Sequence, residues 1–234
     1  SLYFPPGDGL FGIAWGKLTL ENYISLFRQM PFARYMLNSL FIAGTISVVG
    51  TLFAAMGGYA LSKFQFRGQN FITALILGAL IVPPALLLAP GYQILYFLGL
   101  LLPTRAPAFG IFLFRQAMLN SIPRDLLESA RIEGCNELQI FFLVVLPLVR
   151  PMVGAFVLLT FLGAWNNFII PQIILQSRDL YPVALGIAQL RDLYNENYGL
   201  VMAGTVVAIS PVMVLFFFLQ KEFISGLTSG AIKG

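Results

Sequence analysis

Residues 35–62 read YMLNSLFIAGTISVVGTLFAAMGGYALS, without one Asp, Glu, Lys or Arg. A helix needs about 20 apolar residues to cross about 30 Å of hydrocarbon, so this run is long enough to span a bilayer. Asn38 and Ser39 stand near its start, and Gly44, Ser47, Gly50, Ala54, Gly57 and Gly58 recur along it. Small side chains let helix backbones approach closely where lipid supplies no hydrophobic drive. The pattern predicts a crossing over 37–61 that packs inside a bundle. Lys63 and Arg67 then close it in a short loop.

Working outward, three further runs carry no charge: 68–104, 151–177 and 197–220. The 234 residues are 58% hydrophobic and 10% charged, with a mean hydropathy of +0.83, against about 25% charged in a soluble domain. Too little polar sequence remains to cover four such runs in water. The second crossing begins near Phe71 and meets Pro83, Pro84, Pro90 and Gly91. Proline removes a backbone donor and clashes with the preceding turn, so a break is expected there, with the freed carbonyls facing protein or a polar passage. A third crossing fits 98–118, although Arg105 and Arg115 stand only about 15 Å apart along a helix and must snorkel in opposite directions. The fourth runs from Pro151 to Phe168, its Trp165 suited to a membrane interface. A polar stretch, 176–198, separates it from the last crossing at 199–219, which contains Pro211. Ahead of them all, Leu20–Met30 reads as a short helix with Thr19 as N-cap and Glu21 in its first turn.

Several function classes fall away on composition. The chain has no histidine and one cysteine, Cys135, which excludes an intrachain disulfide, histidine-based catalysis and the common zinc motifs. No metal site and no catalytic residue are predicted. The net charge is +4, but the basic residues are scattered among loops with no stripe or aromatic platform, so no nucleic-acid partner is expected. Loops 62–70, 115–150 and 220–234 hold eight of the 14 basic residues and the opposite loops six. By the positive-inside rule that excess places 115–150 in the cytoplasm. Five crossings then put the N-terminus outside.

Residues 123–147, PRDLLESARIEGCNELQIFFLVVLP, form a charged island between the oily runs. Ser121 can cap a helix that accommodates Pro123 in its first turn, with Asp125 beside it favoured by the dipole. Arg124 with Glu128, and Glu128 with Arg131, are spaced to pair along one exposed edge. Gly134 permits the left-handed turn that ends the helix. Glu137 starts a second, apolar helix, and Pro147 ends it. Two short helices joined this way suit a partner that pushes or pulls them as a unit; a solvated loop explains the charges alone.

The order Glu128-Ser129-Ala130, three residues, Gly134, nine residues, Val144, one residue, Leu146-Pro147 resembles the cytoplasmic loop of binding-protein-dependent ABC importer permeases. There the pattern is Glu-Ala-Ala, Gly, Ile and Leu-Pro at the same spacing, so Ser129 and Val144 are mild departures. Asn38-Ser39, Tyr59-Ala60, the run 112–116 FLFRQ, the run 163–168 GAWNNF and the end 226–234 GLTSGAIKG are similar to the carbohydrate-importer subfamily that includes the smaller maltose permease subunit. The likeness covers residues 20–234.

The resemblance implies an all-α polytopic membrane protein with the type I ABC importer permease bundle. Five crossings are read here where the family has six, so the first is expected to be missing, and the 99–110 connection is shorter than usual. The implied organisation is an extracytoplasmic segment 1–36, a transmembrane domain 37–220 with a cytoplasmic coupling loop 119–150, and a cytoplasmic tail 221–234. The implied location is the bacterial or archaeal inner membrane, in contact with lipid. Implied partners are a second related permease, an ATPase homodimer or heterodimer that carries the ATP and Mg, and an extracytoplasmic solute-binding protein. This chain would hold no cofactor and perform no covalent chemistry. The cargo would be a sugar or a glycerol-phosphate-type solute. Glu128, Ala130, Gly134, Leu146 and Pro147 are implied in ATPase coupling, and Gly230 and Lys233 in a second contact from the tail. Asn38, Tyr92, Gln93, Asn166 and Asn167 are polar groups in or near crossings that either meet the solute or join helices. A secondary transporter or channel for a small polar solute is the rival reading. It explains the broken crossings but neither the island nor the scarcity of intramembrane acids.

Overall fold

The computed structural model describes residues 20–83, 108–193 and 198–228. Every regular element among them is helical. In chain order they are α1 (Glu21–Gln29), α2 (Phe32–Lys63), α3 (Gln69–Ile81), α4 (Ala108–Ser121), α5 (Arg124–Ile132), α6 (Glu137–Leu148), α7 (Arg150–Trp165), α8 (Ile169–Ile174), a 3₁₀ turn (Arg178–Leu180), α9 (Val183–Leu193) and α10 (Tyr198–Thr228).

Among the described residues, α2 and the Tyr198–Ser225 part of α10 are long and apolar enough to cross a membrane. α6 and α7 are bent by 83° between Leu148 and Arg150 and would add a third span only if counted as one. α2 is longer than expected: its 32 residues extend about 48 Å, beginning at Phe32 rather than Leu37. α3 stops at Ile81, and Val82 turns extended (φ −73°, ψ 118°), as a residue before Pro83 must. The expected break therefore lies at the end of a 13-residue helix of about 20 Å; its continuation, the 99–107 part of the short connection and the start of the third crossing lie outside the described residues. Large apolar side chains point outward along the long helices, Phe41 and Val48 on α2, Phe71 and Ile81 on α3, and Phe217 and Phe218 on α10. So much exposed apolar surface calls for a lipid or protein environment.

Pro211 sits inside α10. It cannot donate to the carbonyl of Val207, and Ser210 Oγ donates there instead at 2.8 Å, so the freed acceptor is satisfied within the helix. α7 ends at Trp165, three residues short of expectation, α8 follows it, and the stretch 176–198, expected to be merely polar, holds the 3₁₀ turn and α9.

Two units divide the chain, one of 1–42 and 165–214, the other of 43–164 and 215–234. In the first, Leu26, Phe32, Tyr35, Val183, Leu190 and Leu200 are buried to 2% exposure or less. Gly204 of α10 admits Leu190, Leu26 and Phe32 to within 3.6 Å of where a Cβ would stand. In the second, the core gathers Ala54, Ala55 and Tyr59 of α2, Phe114 and Met118 of α4, Leu127 and Ala130 of α5, Ile140, Phe141 and Val145 of α6, and Val149 and Phe156 beyond it. α3 runs alongside α4. α2 meets α4 through small residues: a Cβ on Gly58 would stand 2.6 Å from Phe114 Cβ and 2.8 Å from the Arg115 nitrogen. Gly44 and Gly50, which the sequence groups with it, have nothing within 4 Å.

Candidate functional site

The charged island folds as α5, a turn and α6. Pro123 is the N-cap residue of α5, extended at φ −62° and ψ 145°, and no side chain caps the helix. Ser121 is instead the last residue of α4. Pro123 supplies the extended cap geometry by its own fixed φ, which displaces the expected serine cap. Asp125 lies in the first turn, and Ser129 Oγ donates back to its carbonyl at 2.9 Å.

The turn closes as a Schellman motif. Cys135 N–H donates to Ala130 O and Gly134 N–H to Arg131 O, both at 3.0 Å. Gly134 takes φ +89° with no atom within 4 Å of a Cβ position, so the backbone conformation, not space, demands glycine. α6 then opens with a capping box: Gln139 N–H donates to Asn136 Oδ1 at 2.9 Å, and Asn136 N–H to Gln139 Oε1 at 2.8 Å. A π-helical turn over Ile140–Val145 precedes Pro147. In an ideal α-helix the proline ring would strike the carbonyl of Leu143, and a widened turn relieves that contact. α6 continues to Leu148 and the chain bends there, so it ends one residue past the expected Pro147.

Neither expected ion pair along α5 forms among the described residues. Arg131 reaches across the turn instead, its Nε 2.7 Å from Glu137 Oε1. The other carboxylate oxygen, Oε2, accepts from Tyr59 OH of α2 at 2.8 Å. The Arg131 hydrogen bond, more than that of Tyr59, holds the Glu137 carboxyl below the usual carboxylate range, and Glu137 in turn raises the guanidinium.

The hairpin therefore has two faces. Leu127, Ala130, Ile140, Phe141 and Val145 are buried in the core of the second unit. Phe141 meets the Tyr59 ring at 5.7 Å, and Phe64 meets it edge-on at 5.4 Å. The outer face exposes Glu128 with Leu126, Ile132, Leu138 and Leu143, Ile132 at 87%. Of the residues implied in coupling, Ala130 lies on the buried face, Leu146 packs partly buried against the core, and Gly134 and Pro147 are exposed. Gly230 and Lys233 lie outside the described residues. Nearby, Lys63 Nζ donates to the Ile122 carbonyl at 2.6 Å. Gln69 Nε2 and Arg115 Nε both donate to Leu61 O, at 2.8 and 3.2 Å, serving a carbonyl in the last turn of α2. α10 comes to the start of α7, where Arg150 Nη2 lies 3.5 Å from Glu222 Oε1 and a Cβ on Gly154 would stand 2.5 Å from Glu222 Cβ.

In the first unit Asn38 and Ser39 act on backbone. Asn38 Nδ2 donates to Asp179 O at 2.8 Å and Tyr181 O at 3.1 Å. Ser39 Oγ accepts from Val183 N–H at 2.7 Å, satisfying a donor in the first turn of α9. Arg34 Nη1 adds an ion pair to Asp179 at 3.1 Å. Asn166 lines a cavity of about 280 Å³ with Trp165, Val183, Ile187, Thr205 and Ala208 among others. Asn167 Oδ1 accepts from Ile170 N–H at 3.2 Å at the start of α8. Tyr92 and Gln93 lie outside the described residues. Among the described residues no group of three or more His, Cys, Asp or Glu could hold a metal.

The profile of the family described as "Binding-protein-dependent transport system inner membrane component" matches residues 13–227. The chain belongs to this family. Among its relatives, the arabinooligosaccharides transport system permease protein AraQ of Halalkalibacterium halodurans is 39% identical over 225 residues, covering 93% of this chain and 80% of AraQ. The lactose transport system permease protein LacG of Rhizobium radiobacter is 33% identical over 228 residues, covering 94% and 83%. A bacterial ABC transporter involved in import of the acidic polysaccharide alginate shares the fold at TM-score 0.75 and 24% identity, over 88% of this chain and 80% of that one. A second, a bacterial alginate ABC transporter in complex with its alginate pentasaccharide-bound periplasmic protein, matches at TM-score 0.65 and 15% identity, over 86% and 81%. This permease is a membrane-embedded subunit of an ATP-driven importer.

Proposed function

We propose that this permease forms half of a translocation path for carbohydrate and is driven through the α5–α6 hairpin by a pair of ATPase subunits on the cytoplasmic side. Support for the cargo comes from relatives named for arabinooligosaccharides and lactose at 39% and 33% identity. The observation that carries the coupling role is the division of the hairpin between a face built into the bundle core and a face exposing Leu126, Ile132 and Leu138 beside Glu128. A plain solvated loop has no reason to be closed by a Schellman turn, opened again by a capping box and packed against α2 and α4.

In this reading Glu128 meets the ATPase directly, and Ala130 keeps α5 close to the core. Gly134 sets the angle of the turn, and Leu146 with Pro147 carries α6 into the bend before α7. A second related permease completes the path, and an extracytoplasmic solute-binding protein delivers the sugar. The chain crosses the inner membrane five times, dividing at 1–36, 37–220 and 221–234 with 119–150 in the cytoplasm, and Gly230 and Lys233 add a tail contact. Asn166, beside Trp165 at the cavity, is the path residue proposed here, with Asn167 holding the turn next to it.

The test is reconstitution of the whole importer in vesicles with Glu128→Lys and Ile132→Glu on the outer face. Both are expected to release the ATPase from a normally inserted permease and to stop sugar uptake. ATPase recovery and uptake at the unsubstituted level would remove the coupling role.

A further inference from the structure

Glu137 serves two helices at once. Its Oε1 takes Arg131 Nε of α5 at 2.7 Å and its Oε2 takes the Tyr59 hydroxyl of α2 at 2.8 Å. The first bond closes the hairpin across the Gly134 turn. The second is the hydrogen bond that joins α6 to α2 among the described residues. Beside it, α6 and α2 share an apolar core in which Tyr59 meets Phe141 at 5.7 Å, and such contacts are less directional than a hydrogen bond. A hydrogen bond to a carboxylate is shorter, stronger and directional. The chemistry suits a carboxylate alone: two acceptor oxygens face two donors, whereas an amide would turn a donor toward one of them. Tyr59 is 5% exposed, and its hydroxyl donates to Glu137 with the Arg131 guanidinium also beside it, while the Arg131–Glu137 pair is half open to solvent and contributes less.

We propose that Glu137 is a positioning residue that locks the hairpin to α2, so that a push on the hairpin displaces α2 instead of flexing the turn at Gly134. This rests on the coupling role proposed above. The lock has three parts: Arg131 stiffens the hairpin, Glu137 joins it, and Tyr59 receives the motion one residue from Gly58, where α2 touches the α4 backbone. Without the lock the ATPase still finds its docking face and still hydrolyses ATP, but less of the displacement reaches the crossing.

The experiment uses the complete importer in proteoliposomes and measures sugar moved per ATP hydrolysed. Tyr59→Phe keeps the ring and its contacts with Phe64 and Phe141 and removes one oxygen. Loss of a charge-assisted hydrogen bond lowers the locked-to-unlocked ratio by about tenfold, so sugar per ATP is expected to fall by about twofold to tenfold, with ATPase association unchanged. Glu137→Gln is expected to do the same, and adding Tyr59→Phe to it to cost no more. Arg131→Gln, which leaves the Tyr59 bond, is expected to have the smaller effect. An unchanged ratio in Tyr59→Phe overturns the lock, and so does loss of ATPase association in that variant, because the bond would then merely build the docking face. Glu128→Lys separates the two ideas: if it releases the ATPase while Tyr59→Phe changes nothing, the coupling role stands and the lock falls. If neither has an effect, the coupling role itself fails.

Discussion

Substitution at Gly134 isolates backbone geometry from packing. The residue holds φ +89° with open space around it, so an added side chain meets no neighbour and the whole cost is conformational. Alanine in the left-handed region costs about 1–2 kcal/mol, and a β-branched valine costs more because that region is a true outlier for it. Asparagine visits the region readily, so Gly134→Asn should lose only a few tenths. If the valine variant leaves this conformation instead, it escapes that strain but gives up the two hydrogen bonds of the Schellman turn, worth about 0.5–1.5 kcal/mol each. A cost near 1–3 kcal/mol by either route lowers the ratio of correctly turned hairpin to other forms by about fivefold to about 150-fold. The assay is recovery of the ATPase with each variant from membranes, together with sugar-stimulated hydrolysis in proteoliposomes and a check on membrane insertion. Gly134→Val should insert normally and lose both readouts, Gly134→Ala should fall between, and Gly134→Asn should remain close to the native residue. Normal coupling in Gly134→Val, or equal damage from asparagine and valine, would refute the argument, the second by showing that bulk rather than φ matters.

Other positions give separate tests. Gly58→Ala and Gly50→Ala share the helix-propensity gain of about 1 kcal/mol, but only at Gly58 does the new Cβ meet a neighbour, the Phe114 Cβ at 2.6 Å and facing backbone at 2.8–2.9 Å; their stabilities in detergent should differ by the overpacking cost of about 1–3 kcal/mol, with Gly58→Ala the lower-melting. Gly154→Val drives a branched side chain at Glu222, whose Cβ stands 2.5 Å from the new Cβ, and should loosen the end of α10, read as faster proteolysis after residue 222. Ser39→Ala leaves the Val183 N–H without its 2.7 Å acceptor at about 1–3 kcal/mol, and hydrogen exchange should quicken at the start of α9. Because Glu137 is held below the ordinary glutamate value, about 4.3, the protection it lends the hairpin is fully present above that pH and is lost as pH falls through its lower folded value. Amide protection factors over 135–140 should therefore be flat near neutrality and fall only in that acidic window, a fall that Glu137→Gln abolishes.

Much of the architecture was legible because oil and charge separate cleanly along this chain. The uncharged run 35–62 became α2, and the run 197–220 became most of α10. Gly134 was readable as a left-handed turn because a helix with charged residues stops there and an apolar one starts three residues later. α9 was missed because Gln189, Arg191 and Asp192 made 176–198 look uniformly polar. Yet Val183, Gly186 and Leu190, all buried, already stood at a helical spacing behind Pro182. The expected Glu128 pairs failed for a different reason: local spacing rewards neighbours on one helix, whereas Arg131 finds Glu137 only once the turn has reversed the chain. Asn38 and Ser39 could be recognised as polar groups in an apolar span, but their partners lie more than 140 residues away, beyond any local pattern.

On the proposed coupling role, the same contacts give the route by which the hairpin would move the bundle. α6 has 12 residues, or about 18 Å, and a fixed turn at each end, Gly134 on one side and the 83° bend after Leu148 on the other. Its middle is held among Ile140, Phe141 and Val145 in a core shared with α2, α4 and α7. Close-packed, interdigitated apolar surfaces transmit strain, so a push on the core reaches all three helices, and a push along α2 is carried in addition by a directional bond. Tyr59 and Glu137 supply that bond at the one place where α6 begins and α2 is about to end. A permease that kept the apolar core and lost the carboxylate would therefore still fold and still dock, and it would waste strokes directed along α2.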